Sequence, residues 1–168
     1  MVARSPQHPV PRRPRPVASA GFTLVELVIA IVVVAILTAI ALPTFLDQIR
    51  KSRRSEAFTA LAAAQQAQER WRGNNAAYAG SLTAAAADDP PGLGLSAQTP
   101  GGYYTLAVAS ADAQGYVLTA TGNDGTTQAD DAQCRKLAVR MQGGNLQYAG
   151  CGACEDFDFA ATQACWAK

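Results

Sequence analysis

The sequence predicts an α+β fold, in which one long N-terminal helix packs on an antiparallel β-meander and a disulfide-bounded region follows the sheet. Three observations support this prediction. A stretch without charged residues, Leu27–Leu46, continues into an amphipathic pattern that reaches Arg72. Short segments rich in β-branched and aromatic residues alternate with polar turns after residue 102. All cysteines follow residue 133. A helix that precedes a run of strands is typical of α+β domains.

Residues 1–21 form a basic, proline-rich leader. It has no acidic residue and contains the arginines Arg4, Arg12, Arg13 and Arg15. A secretory signal has a shorter apolar core, with a small-residue cleavage site after that core. Here the apolar stretch is longer, and the small residue Gly21 precedes it. The leader is therefore not an ordinary secretory signal, and a plain signal-anchor protein is the simplest alternative.

Residues 22–46 are predicted to form the apolar half of the helix. At about 1.5 Å per residue, the uncharged stretch spans ~30 Å, which is the thickness of one bilayer core. A single carboxylate, Glu26, stands near the start of this half. A carboxylate deep in lipid costs ~2.5–3.5 kcal/mol, so we expect Glu26 to have a partner or a purpose. Pro43 lacks an amide hydrogen and crowds a carbonyl of the preceding turn, which predicts a helix kink there.

Residues 47–72 are predicted to form the amphipathic half of the same helix. Its mostly apolar stripe recurs at spacings of three and four residues and consists of Ala57, Leu61, Ala64, Gln68 and Trp71. Because this periodicity gives the helix one face for packing, we expect the face to cover the sheet. Gly73 and the two asparagines after it end the helical pattern.

Residues 73–102 are predicted to form a variable loop, because glycine, proline, asparagine and aspartate recur there. Residues 103–168 are predicted to contain the antiparallel sheet and the cysteine-bounded C-terminal region. Alternation and β-propensity place strands at residues 103–109, 116–121, 137–141 and 146–148. The segment 123–131 offers oxygen ligands for calcium, but it departs from the EF-hand spacing, so we interpret it as a solvated turn.

The four cysteines are Cys134, Cys151, Cys154 and Cys165. In an exported domain an even number of cysteines indicates disulfides, and sequence alone permits three pairings. The alternatives are free buried thiols, a zinc site and a redox-active Cys151-x-x-Cys154 pair. The spacing differs from two zinc knuckles, and no βαβ context surrounds the redox motif. Structural disulfides are therefore the favoured interpretation.

The composition disfavours catalysis. The sequence has 1 histidine, His8, which lies in the leader. A chain without His8 has no Ser-His-Asp or Cys-His arrangement and no histidine metal ligand. We therefore predict no enzymatic activity, no cofactor and no bound metal.

The part of the chain after the leader is acidic. Subtracting the four leader arginines from the formal net charge of +1 leaves −3 for residues 22–168. After Arg72 the basic residues are outnumbered by acidic ones and comprise Arg135, Lys136, Arg140 and Lys168. This balance weighs against broad nucleic-acid affinity, because phosphate binding depends on lysine and arginine, but it leaves room for a local basic patch.

The segment Gly21-Phe-Thr-Leu-Val-Glu26, followed by a long apolar helix, resembles the processing site of type IV prepilins and of type II secretion pseudopilins. The resemblance implies that a prepilin peptidase cleaves between Gly21 and Phe22 and that the new amino group of Phe22 is methylated. It also implies that Glu26 pairs with the terminal amine of a neighbouring subunit, since each charge buried among apolar helices needs a partner. The implied partners are other pilin subunits, the prepilin peptidase and the inner-membrane pilus assembly machinery.

The order of the elements is similar to the pilin fold. The segment Asp131–Leu137, with Cys165-Trp166 near the end, resembles PilE-type and ComP-like minor pilins of type IV pili. This resemblance implies the disulfides Cys134–Cys165 and Cys151–Cys154. It further implies a subunit that lies in the inner membrane before assembly, with its C-terminal domain in the periplasm, and in the extracellular pilus afterwards.

The resemblance favours a structural subunit of a type IV pilus, minor rather than major. A type II secretion pseudopilin is the alternative, against which the C-terminal cysteines argue. ComP-like pilins bind DNA during uptake, so DNA is a further candidate partner, with Arg135, Lys136 and Arg140 on and beside one strand as its contacts. A solvated strand face is the simpler interpretation of these three residues. The sequence does not distinguish twitching motility, cell adhesion and DNA uptake.

Overall fold

The computed structural model describes residues 21–89, 91–160 and 164–166, so residues 1–20 of the predicted leader lie outside the described part. One long helix precedes four strands and a 3₁₀ turn at Ala164–Trp166. The elements are α1 (Leu24–Arg72), β1 (Tyr104–Ala111), β2 (Gly115–Gly122), β3 (Lys136–Gln142) and β4 (Asn145–Cys151). The chain divides into two compact units, Met1–Leu42 and Pro43–Lys168, which are described separately.

The first unit contributes the apolar beginning of α1. The backbone N–H of Glu26 donates to the Thr23 hydroxyl at 3.2 Å, which is an N-cap arrangement. Because Thr23 caps the helix from outside, α1 begins two residues after the predicted start at Phe22. The large apolar side chains are exposed, from Phe22 at 82% to Leu42 at 51%. By length and composition, α1 is able to cross a membrane.

In the second unit, the remainder of α1 buries the face that the periodicity predicts. Ala57, Leu61 and Ala64 are fully buried in the main apolar core, and Gln68 is buried beside them. Trp71, the last but one residue of the helix, is only half-buried. The core therefore lies between this face of α1 and the sheet.

The segment between α1 and β1 is held to the rest of the second unit by polar contacts. The Gln68 side-chain amide donates to the Ala79 carbonyl at 2.8 Å, and its oxygen accepts from the Ala79 N–H at 2.9 Å. This pair satisfies a polar side chain that is fully buried. The backbone N–H of Tyr78 donates to the Asp112 carbonyl at 2.9 Å, which fastens the same segment to the end of β1.

The four strands form one antiparallel sheet in the order β1-β2-β3-β4. Gln142 pairs with Asn145, so β3 and β4 are joined by the two-residue turn Gly143-Gly144. Both glycines have positive φ values, 56° and 83°, which a tight hairpin turn requires and which glycine adopts without strain. The predicted α+β fold with its antiparallel meander is confirmed.

The two faces of β3 carry different kinds of residue. Leu137 and Val139 are fully buried and belong to the core. Because successive side chains of a strand point to opposite faces, Lys136, Ala138 and Arg140 lie on the outer face of the sheet. This outer face carries two of the predicted DNA contacts.

Two disulfides bound the C-terminal region. The structure joins Cys134 to Cys165 and Cys151 to Cys154, with Cα–Cα distances of 5.5 Å and 5.9 Å. These are the pairs that the resemblance to PilE-type and ComP-like pilins implies. Beside Cys165, the Trp166 indole N–H donates to the carbonyl of Ala149 in β4 at 2.8 Å. The end of the described chain is therefore anchored to the sheet.

Candidate assembly segment and candidate nucleic-acid surface

The predicted processing and assembly residues lie together at the start of α1. Gly21 and Phe22 precede the helix, and Glu26 lies in its first turn. A Cβ atom added to Gly21 would meet nothing within 4 Å, so the fold of the described residues does not itself require glycine there. All three residues are exposed. The segment is therefore not packed against the part of the chain that the structure describes.

Glu26 has a local role that the sequence interpretation missed. Its backbone N–H bonds to Thr23, and a carboxylate in the first turn of a helix is favoured by the helix dipole. The signal for this was present in the spacing Thr-x-x-Glu, which is typical of a helix N-terminus. Among the described residues, no basic group lies within ion-pair distance of the Glu26 carboxylate. Its carboxylate is consequently available to a group from outside the described chain.

Pro43 lies inside α1 as its bounds are observed. It is also the first residue of the second unit. The helix kink at Pro43 stays a prediction.

The three predicted DNA contacts do not form one cluster of free cations. Arg135 precedes β3, and its guanidinium Nη2 is 2.7 Å from the Asp124 carboxylate. The Lys136 ammonium donates to the Cys154 carbonyl at 2.9 Å. Each of these contacts occupies a donor that a phosphate would otherwise use.

Arg140 is held by two different neighbours. Its Nε and Nη2 atoms donate to the side-chain oxygen of Gln147 on β4, at 2.9 Å and 2.7 Å. Its guanidinium carbon also lies 4.2 Å from the centre of the Phe159 ring, which is a cation–π distance. Arg140 is thus half-buried and packed rather than freely solvated.

A second group of basic residues surrounds the loop between β2 and β3, which the sequence interpretation missed as a surface. The Arg50 Nε donates to the Thr127 carbonyl at 3.3 Å, and the Arg53 guanidinium bonds to the Thr127 hydroxyl. Arg135 contacts Asp124 in the same loop. Lys51 lies exposed on the intervening turn of α1. The only signal in the sequence was the density of arginine and lysine at residues 50–54.

A buried ion pair fixes that loop to α1. Arg54 and Asp131 make two parallel hydrogen bonds, both 2.8 Å long, with side chains only 9% and 3% exposed. The same carboxylate accepts the backbone N–H of Cys134 at 3.0 Å. The most buried carboxylate of segment 123–131 is therefore already saturated by protein donors. In the described part of the chain, no group of three or more His, Cys, Asp or Glu side chains is placed to hold a metal ion.

Comparison with known proteins covers both the apolar beginning of α1 and the second unit, Pro43–Lys168, here called the head. Residues 18–42 match the family model described as the prokaryotic N-terminal methylation motif. Residues 43–138 match the family model described as type IV minor pilin ComP, DNA uptake sequence receptor. The second match covers more than half of the chain and includes α1 after Leu42, the loop around Asp124 and the start of β3.

Curated relatives agree with these matches. The chain is 33% identical over 120 residues to fimbrial protein EcpC of Eikenella corrodens, which covers 71% of this chain and 72% of that protein. It is 55% identical over 42 residues to a fimbrial protein of Moraxella nonliquefaciens, covering 25% of this chain and 27% of that one. It is 48% identical over 50 residues to fimbrial protein Q of Moraxella bovis, covering 30% and 32%.

A methylation motif on an apolar helix, joined to a helix-on-meander head with C-terminal disulfides, defines a type IV pilin. With the matches above, the chain belongs to the type IV pilin family and, within it, to the ComP-like minor pilins. It is accordingly a subunit of a pilus, anchored in a membrane by its apolar helix and then carried at the cell surface. Such proteins are structural.

Proposed function

We propose that this minor pilin binds DNA through its head and presents that site on the pilus. The observation that carries the proposal is the match of residues 43–138 to a family described as a DNA uptake sequence receptor. The matched range contains the basic residues at 50–54 and both Arg135 and Lys136, whereas Arg140 lies beyond it. Among the alternatives of motility, adhesion and uptake, this match favours uptake.

The charges of the head define what kind of DNA binding to expect. Because the chain without its leader carries a formal charge of −3, attraction to phosphate must come from a local surface rather than from the whole domain. The group formed by Arg50, Lys51, Arg53 and Arg135 is the larger candidate. Lys136 and Arg140 form a second candidate on the outer face of β3. Both groups would contact DNA phosphates, so binding should weaken as the salt concentration is raised.

The test is a titration of labelled duplex DNA with the mature protein in neutral detergent. We expect binding at low salt. The logarithm of the association constant should fall linearly with the logarithm of the salt concentration, with a slope of ~0.9 for each phosphate contacted. Arg135→Gln should weaken binding several-fold and reduce the salt slope by ~0.9, the amount expected for the loss of one phosphate contact. Arg70→Gln removes the same charge from an exposed position near the end of α1 and should have a smaller effect. Absence of binding at low salt would refute the proposal.

We further propose that the prepilin peptidase cleaves between Gly21 and Phe22, and that Phe22 is then methylated. The match of residues 18–42 to a methylation-motif family supports this position. The new amine would lie close in sequence to Glu26, at an end of α1 that has no covering partner among the described residues. In a filament, the carboxylate would pair with the amine of a neighbouring subunit, and we place the head on the periplasmic side before assembly. We also propose that α1 is kinked at Pro43.

We assign the chain no catalytic role. The lone histidine of the sequence, His8, belongs to the segment that cleavage would remove. The cysteines are joined as Cys134–Cys165 and Cys151–Cys154, which leaves no thiol for nucleophilic or redox chemistry. The same pairing supports a structural role for the C-terminal region and weighs against a pseudopilin.

A further inference from the structure

The segment that follows β4 lies on the outer face of the sheet, over two of the basic side chains proposed to contact DNA. The Cys154 carbonyl accepts a hydrogen bond from the Lys136 ammonium at 2.9 Å. The Phe159 ring lies 4.2 Å from the guanidinium carbon of Arg140. Residues 155–159, here called the acidic strap, lie between these two contacts in sequence. The carbonyl just before the strap and the ring at its end therefore occupy both cations of β3.

The strap is apolar where it meets the sheet and acidic where it meets water. Phe157 and Phe159 are half-buried, and their ring centres lie 6.1 Å apart. Glu155, Asp156 and Asp158 are exposed, and the strap has no basic residue. Glu155 follows Cys154 and Asp158 precedes Phe159 in the chain, so their negative charge opposes a phosphate that approaches either contact.

Covalent bonds hold the strap near this face. Cys154, immediately before the strap, is bonded to Cys151 at the end of β4. Farther along the chain, Cys165 is bonded to Cys134, just before β3. A segment tied on both sides to the sheet that it covers remains at a high local concentration there, as expected for a tethered competitor.

We propose that the acidic strap competes with DNA for Lys136 and Arg140 and thereby restricts binding at the outer face of β3. The inference rests on the proposed DNA binding and adds a control to it. While the strap is in place, duplex DNA gains contacts mainly from the basic residues around the loop between β2 and β3. Contact with Lys136 and Arg140 requires the strap to move or to lose its charge.

The first experiment compares two double variants that remove the same charge from the mature protein in neutral detergent. Glu155→Gln with Asp156→Asn removes two of the three negative charges of the strap, whereas Asp88→Asn with Asp89→Asn removes two exposed carboxylates in the loop before β1. The asparagine at position 88 can still accept the hydrogen bond that Asp88 receives from Ala85. We expect the strap variant to bind labelled duplex DNA at least about threefold more tightly at low salt, and more tightly than the loop variant. Adding Lys136→Gln should remove that gain.

The second experiment needs no DNA. Lysine acylation, followed by peptide mass spectrometry, compares Lys136 with Lys51, which is exposed on α1. In the unaltered protein Lys136 should react several-fold more slowly than Lys51. Phe159→Leu removes the ring over Arg140 and should speed the acylation of Lys136 while leaving that of Lys51 unchanged.

These outcomes distinguish a failure of the strap proposal from a failure of the proposed DNA binding. Equal gains in the two double variants would mean that only total charge matters, and would overturn the strap while DNA binding stands. Equal acylation of Lys136 and Lys51 would overturn it as well. If no variant binds DNA although Lys136 is protected, the proposed function fails, and the strap's role as a competitor fails with it.

Discussion

The two units of this pilin differ in how their apolar side chains are buried. Along the apolar beginning of α1, side chains such as Leu37 (61% exposed) and Ile40 (69%) have nothing from the described chain over them. In the second unit, side chains of the same kind, such as Leu61 and Leu137, are fully buried. The first unit therefore depends on lipid or on neighbouring helices for its burial, whereas the head supplies its own. One helix thus serves assembly at one end and folding at the other.

The largest expected effect concerns the first unit alone. Glu26→Ala should leave cleavage intact but strongly reduce incorporation into pili, because the terminal amine of a neighbouring subunit loses its charged partner. Gly21→Val should instead leave an uncut precursor. Mass spectrometry of sheared pili and of membranes, searching for the peptide that begins at Phe22, measures both outcomes. Normal incorporation of Glu26→Ala would show that burial of the apolar surface suffices without charge pairing.

The next effect concerns the head alone. Arg54→Ala should destabilise it by about 3–5 kcal/mol, because the Asp131 carboxylate is left buried without its cation. Chemical denaturation of the mature protein in neutral detergent, followed by the signal of its tertiary structure, measures the loss. A control that replaces both partners, Arg54→Met with Asp131→Leu, should cost less. Equal losses in the single and double variants would indicate that backbone contacts of Asp131 dominate.

A matched pair of substitutions tests the comparison directly. Leu61→Ala should destabilise the head by about 2–5 kcal/mol, because it opens a cavity in the core. Leu37→Ala removes the same atoms from an exposed position and should change the unfolding of the head by less than ~0.5 kcal/mol. Its effect should appear in the yield of pili instead. A similar loss of head stability in both variants would contradict the separation into two units.

The smallest effect depends on pH. Burial and the nearby Glu69 raise the pKa of Tyr116 above its ordinary value of 10.0, and the Tyr116 hydroxyl lies 3.5 Å from a Glu69 carboxylate oxygen. Since the folded state favours the protonated phenol, its contribution to stability is present below the unfolded-state pKa of about 10 and is lost as pH rises above it. Tyr116→Phe should therefore flatten the alkaline decline of the unfolding free energy. An unchanged decline would assign it to other groups, such as Tyr104.

Much of the fold was predictable because its signals are local. The stripe through Ala57, Leu61 and Ala64 repeats within a few turns, and that periodicity already places one face on the sheet. The glycines at 143 and 144 mark their hairpin by the backbone angles that they permit. The predicted start of α1 was wrong by two residues. The Thr-x-x-Glu spacing indicates that Thr23 caps the helix from outside, and the prediction did not include this cap.

The candidate DNA surface was less predictable, because it depends on residues far apart in the chain. The sequence places Lys136 and Arg140 on one face of a strand, but it does not show that Cys154 and Phe159 cover them. It likewise does not bring Arg53 to Thr127, which lies 74 residues farther along the chain. Such contacts follow from the packing of whole elements, and no local pattern encodes them.

The sequence by itself determined the architecture: an apolar helix with one carboxylate, an amphipathic continuation, a meander and clustered cysteines. These follow from hydrophobic periodicity and backbone preference, which act over a few residues. Only the tertiary structure decided which charged side chains are bonded to other protein groups and which are exposed to solvent. Arg54 pairs with Asp131, Lys136 donates to the Cys154 carbonyl and Arg140 packs against Phe159. The energy of each charge depends on neighbours that folding brings together.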